Sequence, residues 1–207
     1  LTPRVVNHNE DLNIALFDWI EGKSPELITE AHISQVLHFI QKLKQHGEKH
    51  CTDLPLASEA CLSANELFTQ VETRITDLKT TNNSAVVNFL QNSLEPLWKK
   101  TRTWSTAQWP KYNLDTALPP SKQVLSPSDF GFHNTLALGN GQLCFLDFEY
   151  FGWDDPVKLM ADFLWHPAMN LDSGRKRQWL NGAAELFRDY TELFQRFSAA
   201  WSVYDVR

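Results

Sequence analysis

The stretch SPSDFGFHNTLALGNGQLCFLDFEYFGWDDP, residues 126–156, sets Asp129, Asp147, Glu149, Asp154 and Asp155 among the rings of Phe130, Phe132, Phe145, Phe148, Tyr150, Phe151 and Trp153. One acid on an apolar strand is a burial problem, because a carboxylate taken out of water is costly unless it is paired. Two acids on either side of a turn make a candidate site. The run NTLALGNGQLCFLDFEY carries apolar segments on both sides of Gly-Asn-Gly, a hairpin signal with its fold at Asn140-Gly141. Asp129 and Asn134 precede the first strand with the spacing D-x4-N, and Asp147 closes the second strand thirteen positions after Asn134. Folding the hairpin returns its two ends to one small volume. A carboxylate, a carboxamide oxygen and a second carboxylate there form an all-oxygen set suited to Mg²⁺. An adjacent unligated carboxylate can accept a hydroxyl proton during phosphoryl transfer. The D-x4-N spacing is unspecific by itself, since Asp77 and Asn82 repeat it at a helix end where capping accounts for both. From the residues alone, a site and a capped loop followed by an edge-strand acid both stand.

Upstream of this stretch, PRVVNHNEDLNIALFDWIEGK (3–23) predicts two short strands joined by an Asn/Asp-rich turn, the second running from Ile14 to Ile20. Ser24 and Pro25 then have the pattern of an N-cap and first helical residue. Ile33, Val36, Leu37, Ile40 and Leu43 follow at helical spacing, up to about Gly47. SANE (63–66) fits a capping box, with Leu67, Phe68, Val71, Ile75 and Leu78 as the apolar stripe behind it. A third helical run from Ala85 to about Trp104 is interrupted near Pro96, and TALPPSKQ (116–123) is a loop. Downstream, Asp155 and Pro156 cap a helix whose buried face is Val157, Leu159, Met160, Phe163 and Leu164, and the pattern is helical again from Ser173 to Val206.

Composition narrows the function classes. At 207 residues the chain is long enough to bury a substantial core, and 43% apolar with 21% charged residues is a globular balance. A net charge of −6 argues against a nucleic-acid partner, which calls for a basic face. No stretch approaches the roughly 20 apolar residues of a membrane helix, which predicts no membrane partner. Cys51, Cys61 and Cys144 match no zinc or disulfide spacing, so a reducing compartment and a cytoplasmic location are expected. The chain starts at Leu1 and reads as strand almost at once, which predicts that it is the remainder of something longer.

Taken together, PSDFGFHN (127–134) and FLDFEY (145–150) resemble the catalytic and metal-binding loops of the aminoglycoside phosphotransferase and choline kinase superfamily, H-[GN]-D-x4-N and I-D-[FW]-E. LNIALFDWIEGK is similar to the last strand of that superfamily's small lobe running into its hinge, and DDPVKLMADFL is similar to the acidic helix start after its metal loop. The resemblance implies an α+β, mainly α chain: the C-terminal lobe of a protein-kinase-like fold, with a short β-hairpin carrying the site and a two-stranded remnant of the small lobe. Residues 1–22 would be that remnant and the hinge, and 23–207 the helical lobe with both loops at about 126–156. It implies ATP and Mg²⁺ as cofactors and a small-molecule alcohol as substrate, such as an amino alcohol, an aminoglycoside or a sugar. Asp129 would orient and deprotonate the acceptor hydroxyl, Asn134 and Asp147 would hold Mg²⁺ on the nucleotide, and backbone groups near Trp19 and Ile20 would meet the adenine edge. Glu149 would play a supporting part.

The pattern is also departed from. Pro127 stands where the superfamily has the His that braces the loop, and Ser128 where Gly or Asn is usual. The glycine loop, phosphate-pairing Lys and partner Glu of a small lobe are not in these 207 residues, so little ATP turnover is expected of this chain by itself. A degenerate kinase-like module that binds nucleotide or protein without catalysis is the alternative. Among the other polar and aromatic groups, Tyr150, Phe151, Trp153 and Trp165 invite a cage for a quaternary ammonium, although core packing accounts for most such rings. His133 is expected to make a loop hydrogen bond, His166 to end a helix, and the basic run 175–177 to be a solvated helix start.

Overall fold

The computed structural model describes residues 2–50, 53–110, 114–190 and 192–206. Strands β1 (Val5–Asn9) and β2 (Ile14–Phe17) form the antiparallel hairpin expected at the front, with a register shift between Val5 and Asn7. Its turn is left-handed at Asn13, φ 50°, where a short amide side chain is tolerated better than a branched one. The hairpin stands away from the body, and Leu12, Ile14, Leu16 and Phe17 are exposed.

Helix α1 spans Glu30–His50, starting later than Ser24 and Pro25 suggested. The reason is tertiary. Lys23 pairs with Ala137 through two backbone bonds of 3.1 and 2.8 Å, which keeps the chain extended there, and Thr29 Oγ1 accepts the His32 N–H at the actual helix start. Ile33, Val36 and Ile40 are the buried face of α1, as their spacing requires.

Helix α2 (Ala64–Lys79) begins at Ser63 with the full reciprocal capping box: Ser63 Oγ accepts from Glu66 N–H, and the Glu66 carboxylate accepts from Ser63 N–H. Helices α3 (Ser84–Phe89) and α4 (Glu95–Gln108) are separated by a π-helical segment, Leu90–Leu94, immediately before Pro96. The interruption thus falls where proline was expected to force it. Asn83, not Asn82, caps α3, so the second D-x4-N spacing is a coincidence of a helix end followed by a turn.

The remaining strands are short. β3 (Val124–Ser126) pairs antiparallel with β6 (Gly152–Asp154), and β4 (Thr135–Ala137) pairs with β5 (Leu143–Phe145), giving three two-stranded sheets with β1–β2. β6 was not foreseen. Helices α5 (Pro156–Trp165), α6 (Ser173–Leu186) and α7 (Leu193–Val206) complete the chain. Asp155 caps α5 by accepting the Val157 N–H at 2.8 Å, and its other oxygen pairs with Arg196 of α7.

The core lies between α5, its helical neighbours and the site hairpin. Phe163 of α5 touches Phe130, Phe132 and Trp179, with ring centroids 5.5, 5.8 and 4.2 Å away. Phe130 and Phe132 lie within the site loop, so the packing that stabilises the lobe also fixes that loop. Burial of each such ring contributes about 1.5–3 kcal/mol. Cys61 and Cys144 are buried, and Cys51 lies outside the described residues.

Candidate functional site

The site loop, residues 127–134, is held from within. Pro127 is buried and Ser128 adopts a left-handed φ of 65°. That conformation explains why Gly or Asn suits the position, since both enter this region more cheaply than other residues. Ser128 supports it with three bonds: its N–H donates to Ser126 Oγ at 3.1 Å, its Oγ donates to Ser58 O at 3.0 Å, and its carbonyl accepts from Phe130 N–H at 2.9 Å. At the far end, buried Thr135 donates its hydroxyl to Gly131 O at 2.8 Å.

Asp129 emerges half-buried from this loop. Asn134 Nδ2 donates to the Asp129 carbonyl at 3.0 Å and to Oδ2 at 3.2 Å. Because the amide nitrogen faces the acid, the planar group turns its oxygen, Oδ1, away from it. The Asn134 carbonyl accepts the Leu146 N–H at 2.9 Å, extending the β4–β5 ladder by one pair. Asp147 is therefore the residue immediately after Asn134's cross-strand neighbour. It is exposed, with φ 63°. Asp129 and Asn134 are thus in contact, and Asp147 follows the residue paired with Asn134 across the ladder. Asp147 and Asp129 also act on a common neighbour. The Tyr150 hydroxyl is held above its ordinary pKa first by hydrogen bonding and charge from Glu149, then by burial, Asp147 and Asp129.

Trp19 and Ile20 lie in the extended segment between β2 and Lys23; Trp19 is 88% exposed and Ile20 half-buried. The Lys23–Ala137 bridge ties this segment to β4, three residues beyond Asn134. Gly22 is required by that approach, because a Cβ there would lie 2.9 Å from Leu136 Cβ and 3.0 Å from Ala137 O.

Two histidines close on Asp129. His133 Nε2 is 3.0 Å and His166 Nε2 3.5 Å from the same oxygen, Oδ1. Their rings are stacked, centroids 4.0 Å apart and 9° from parallel. His166 does end its helix as expected, donating its N–H to Asp162 O at 3.0 Å, but its reach to Asp129 across 37 positions carries no sequence signal. Burial first, and the neighbouring His133 second, lower the His166 pKa against the opposing pull of Asp129 and Asp162.

Beside Asp129 opens a cleft of about 480 Å³, walled by Tyr150, Trp165, Tyr204, Asp162 and His166. Only two of the four rings considered for a cage line it. Trp153 packs over Gly47, and Trp165 meets Trp201 edge-on at 4.9 Å while Lys176 sits 4.9 Å over its face. A cage built of Tyr150, Phe151, Trp153 and Trp165 is not assembled.

Under the cleft lies an ion network centred on the wholly buried Lys158 and Asp154, with Asp162 reaching the cleft wall. Lys158 Nζ is 3.0 Å from Asp154 Oδ2 and 2.6 Å from Asp162 Oδ2, and Asp154 Oδ1 accepts the N–H groups of Cys61 at 3.2 Å and Asp155 at 2.8 Å. Burial outweighs the Lys158 charge and raises Asp154 to about 6.

No family model matches the sequence, and no curated protein matches it. Solved structures do. The ADP-bound aminoglycoside phosphotransferase APH(2'')-Ib superposes with a TM-score of 0.54 at 15% identity, over 98% of this chain and 66% of its own. The choline kinase LicA from Streptococcus pneumoniae gives 0.52 at 13% identity, over 99% and 66%. The streptomycin–ATP–APH(2'')-IIa ternary complex gives 0.55 at 16%, over 100% and 67%. The chain has the fold of these phosphotransferases. It is mainly helical with short strands in small sheets, and it spans about 66% of the length of APH(2'')-Ib and of LicA. Among the described residues no helix is long and apolar enough to cross a membrane.

Proposed function

We propose that this chain is the acceptor- and metal-binding lobe of an ATP-dependent phosphotransferase that moves the γ-phosphate to a hydroxyl of a small molecule. The observation that carries this reading is the placement of Asn134, in contact with Asp129 through its amide and paired through its backbone with Leu146, the residue before Asp147. Asn134 Oδ1 and the Asp147 carboxylate are hard oxygen donors, which fit Mg²⁺ and would leave positions for nucleotide phosphates. The ion would neutralise charge on the phosphates during transfer. Asp129 sits at the wall of the cleft, where it would accept a hydrogen bond from the acceptor hydroxyl, align it in line with the phosphate and take its proton. A 480 Å³ cleft suits a small molecule, and the carboxylates of Asp129 and Asp162 on its walls favour an amino alcohol or aminoglycoside over a neutral sugar. The segment at Trp19 and Ile20 would offer backbone groups to the adenine edge, with residues 1–22 belonging to a smaller lobe and hinge. The action would take place in the cytoplasm.

The test is a thermal-shift and transfer assay on the full-length protein with Mg²⁺-ATP and a panel of amino alcohols, aminoglycosides and sugars. A shift with Mg²⁺-ATP and phosphorylated product with at least one acceptor are expected, both lost in D147N. Stabilisation by Mg²⁺-ATP with no transfer to any acceptor would favour the non-catalytic nucleotide-binding module instead, and no shift with any nucleotide would refute both.

A further inference from the structure

We infer that His133 and His166 together form a two-donor clamp that fixes the Asp129 carboxylate, making both of them positioning residues for the transfer proposed above, on which this inference rests. A carboxylate on a half-exposed loop rotates freely about its last torsion, whose wells are broad. Both faces of this one are engaged. Asn134 Nδ2 donates to Oδ2, His133 Nε2 lies 3.0 Å from Oδ1, and His166 Nε2, from a separate element, approaches the same Oδ1 at 3.5 Å.

The protonation states follow from the partners. His133 Nε2 lies 3.0 Å from Oδ1, so it must carry a proton, because a bare lone pair there would face the lone pairs of an anion. His133 Nδ1 is then the bare nitrogen, buried and without a hydrogen-bond partner among the described residues. His166 Nδ1 accepts the Ala168 N–H at 3.2 Å. Its neutral ring therefore carries the proton on Nε2, which faces the same Oδ1 at 3.5 Å. Two neutral rings stack at 4.0 Å without the repulsion that two cations would suffer. Each ring is set by its surroundings. A side chain at Gly131 would collide with His133, its Cβ falling 2.7 Å from the ring, and His166 is set by the end of α5, by Pro167, and by its carbonyl accepting Met169 N–H at 3.0 Å.

The clamp answers a deficiency legible in the loop. Pro127 has no side-chain donor, so nothing at that position can brace Asp129, and the bracing comes instead from residues 133 and 166. Both donors stabilise the carboxylate as an anion while fixing its plane towards the cleft that His166 shares.

The experiment uses the full-length protein with Mg²⁺-ATP and water as acceptor, read as ADP release, alongside imidazole ¹⁵N spectra. H166A and H133A should each lower kcat by roughly 10- to 100-fold, the loss expected when a reacting group is displaced by about 1 Å. The KM for Mg²⁺-ATP should stay within about two-fold, and H166Q, which keeps an N–H at similar reach, should recover much of the loss. An unchanged kcat in both alanine variants, or a loss that appears in KM instead, overturns the clamp. The spectra decide independently of turnover, so a wild-type protein that releases no ADP sinks the phosphotransfer reading without deciding the clamp. Both rings should show the Nε2-protonated tautomer, and D129N should move both resonances. An Nδ1-protonated ring at either position, or resonances unmoved in D129N, refutes the clamp.

Discussion

Asp154 offers a sharp test of how burial and pairing compete in this fold. It is 0% exposed, and burial pushes its carboxyl up from an ordinary 3.8 to about 6, even with Lys158 3.0 Å away. A carboxyl whose pKa is raised in the folded state favours folding in its protonated form. Its contribution is fully present below the unfolded pKa and is lost as pH rises through the folded one. The window therefore runs from about 4 to about 6. A difference of roughly two units at 1.36 kcal/mol each is worth about 2–3 kcal/mol between pH 4 and pH 7. The perturbation is D154N, which removes the titration while keeping an oxygen to accept the Cys61 and Asp155 N–H groups. Urea unfolding of both proteins at half-unit intervals from pH 4 to pH 7 gives the assay, since other carboxylates cancel in the difference. The stability of wild type minus that of the variant should fall by about 2–3 kcal/mol across the window, with a steepest slope of about 1.2 kcal/mol per pH unit. A difference that is flat, or that rises with pH, would mean that the Lys158 pairing outweighs burial, and the reasoning would be wrong.

Two further outcomes are expected. G152A should destabilise the fold by 2 kcal/mol or more, read as a lowered urea midpoint, because its Cβ would lie 2.4–2.5 Å from backbone atoms of Pro55, Leu56 and Ala57. S63A should cost about 1 kcal/mol by the same assay, through loss of the N-cap bond to Glu66.

What was legible in the sequence was mostly local. The capping box at Ser63, the Asp155–Pro156 helix start and the Asn140-Gly141 turn each depend on residues within a few positions of one another, and each formed as read. The α1 start was misplaced because the competing partner of Lys23 is Ala137, far along the chain. β6 was missed for a similar reason: Gly152, Trp153 and Asp154 have weak strand character and are held extended by Val124–Ser126 on one side and by the backbone of Pro55 and Ala57 on the other. In the candidate site, the Asp129–Asn134 contact follows from a four-residue gap that a short 3₁₀ turn at Phe132–Asn134 can close. The approach of His166 to Asp129 depends on how α5 is aimed after the hairpin, and nothing within reach of either residue encodes it.

Helix α5 acts as a strut of fixed length. One end is pinned at Asp155, which both starts the helix and grips Arg196, and the other delivers His166 to Asp129. Adding or deleting a single residue between those ends would turn the imidazole through about 100° and slide it by about 1.5 Å. Spacing in this segment is therefore as much a part of the chemistry as side-chain identity. Homologous chains that keep Asp129 and the two histidines should accept substitutions between 156 and 165 more readily than any change in the number of residues.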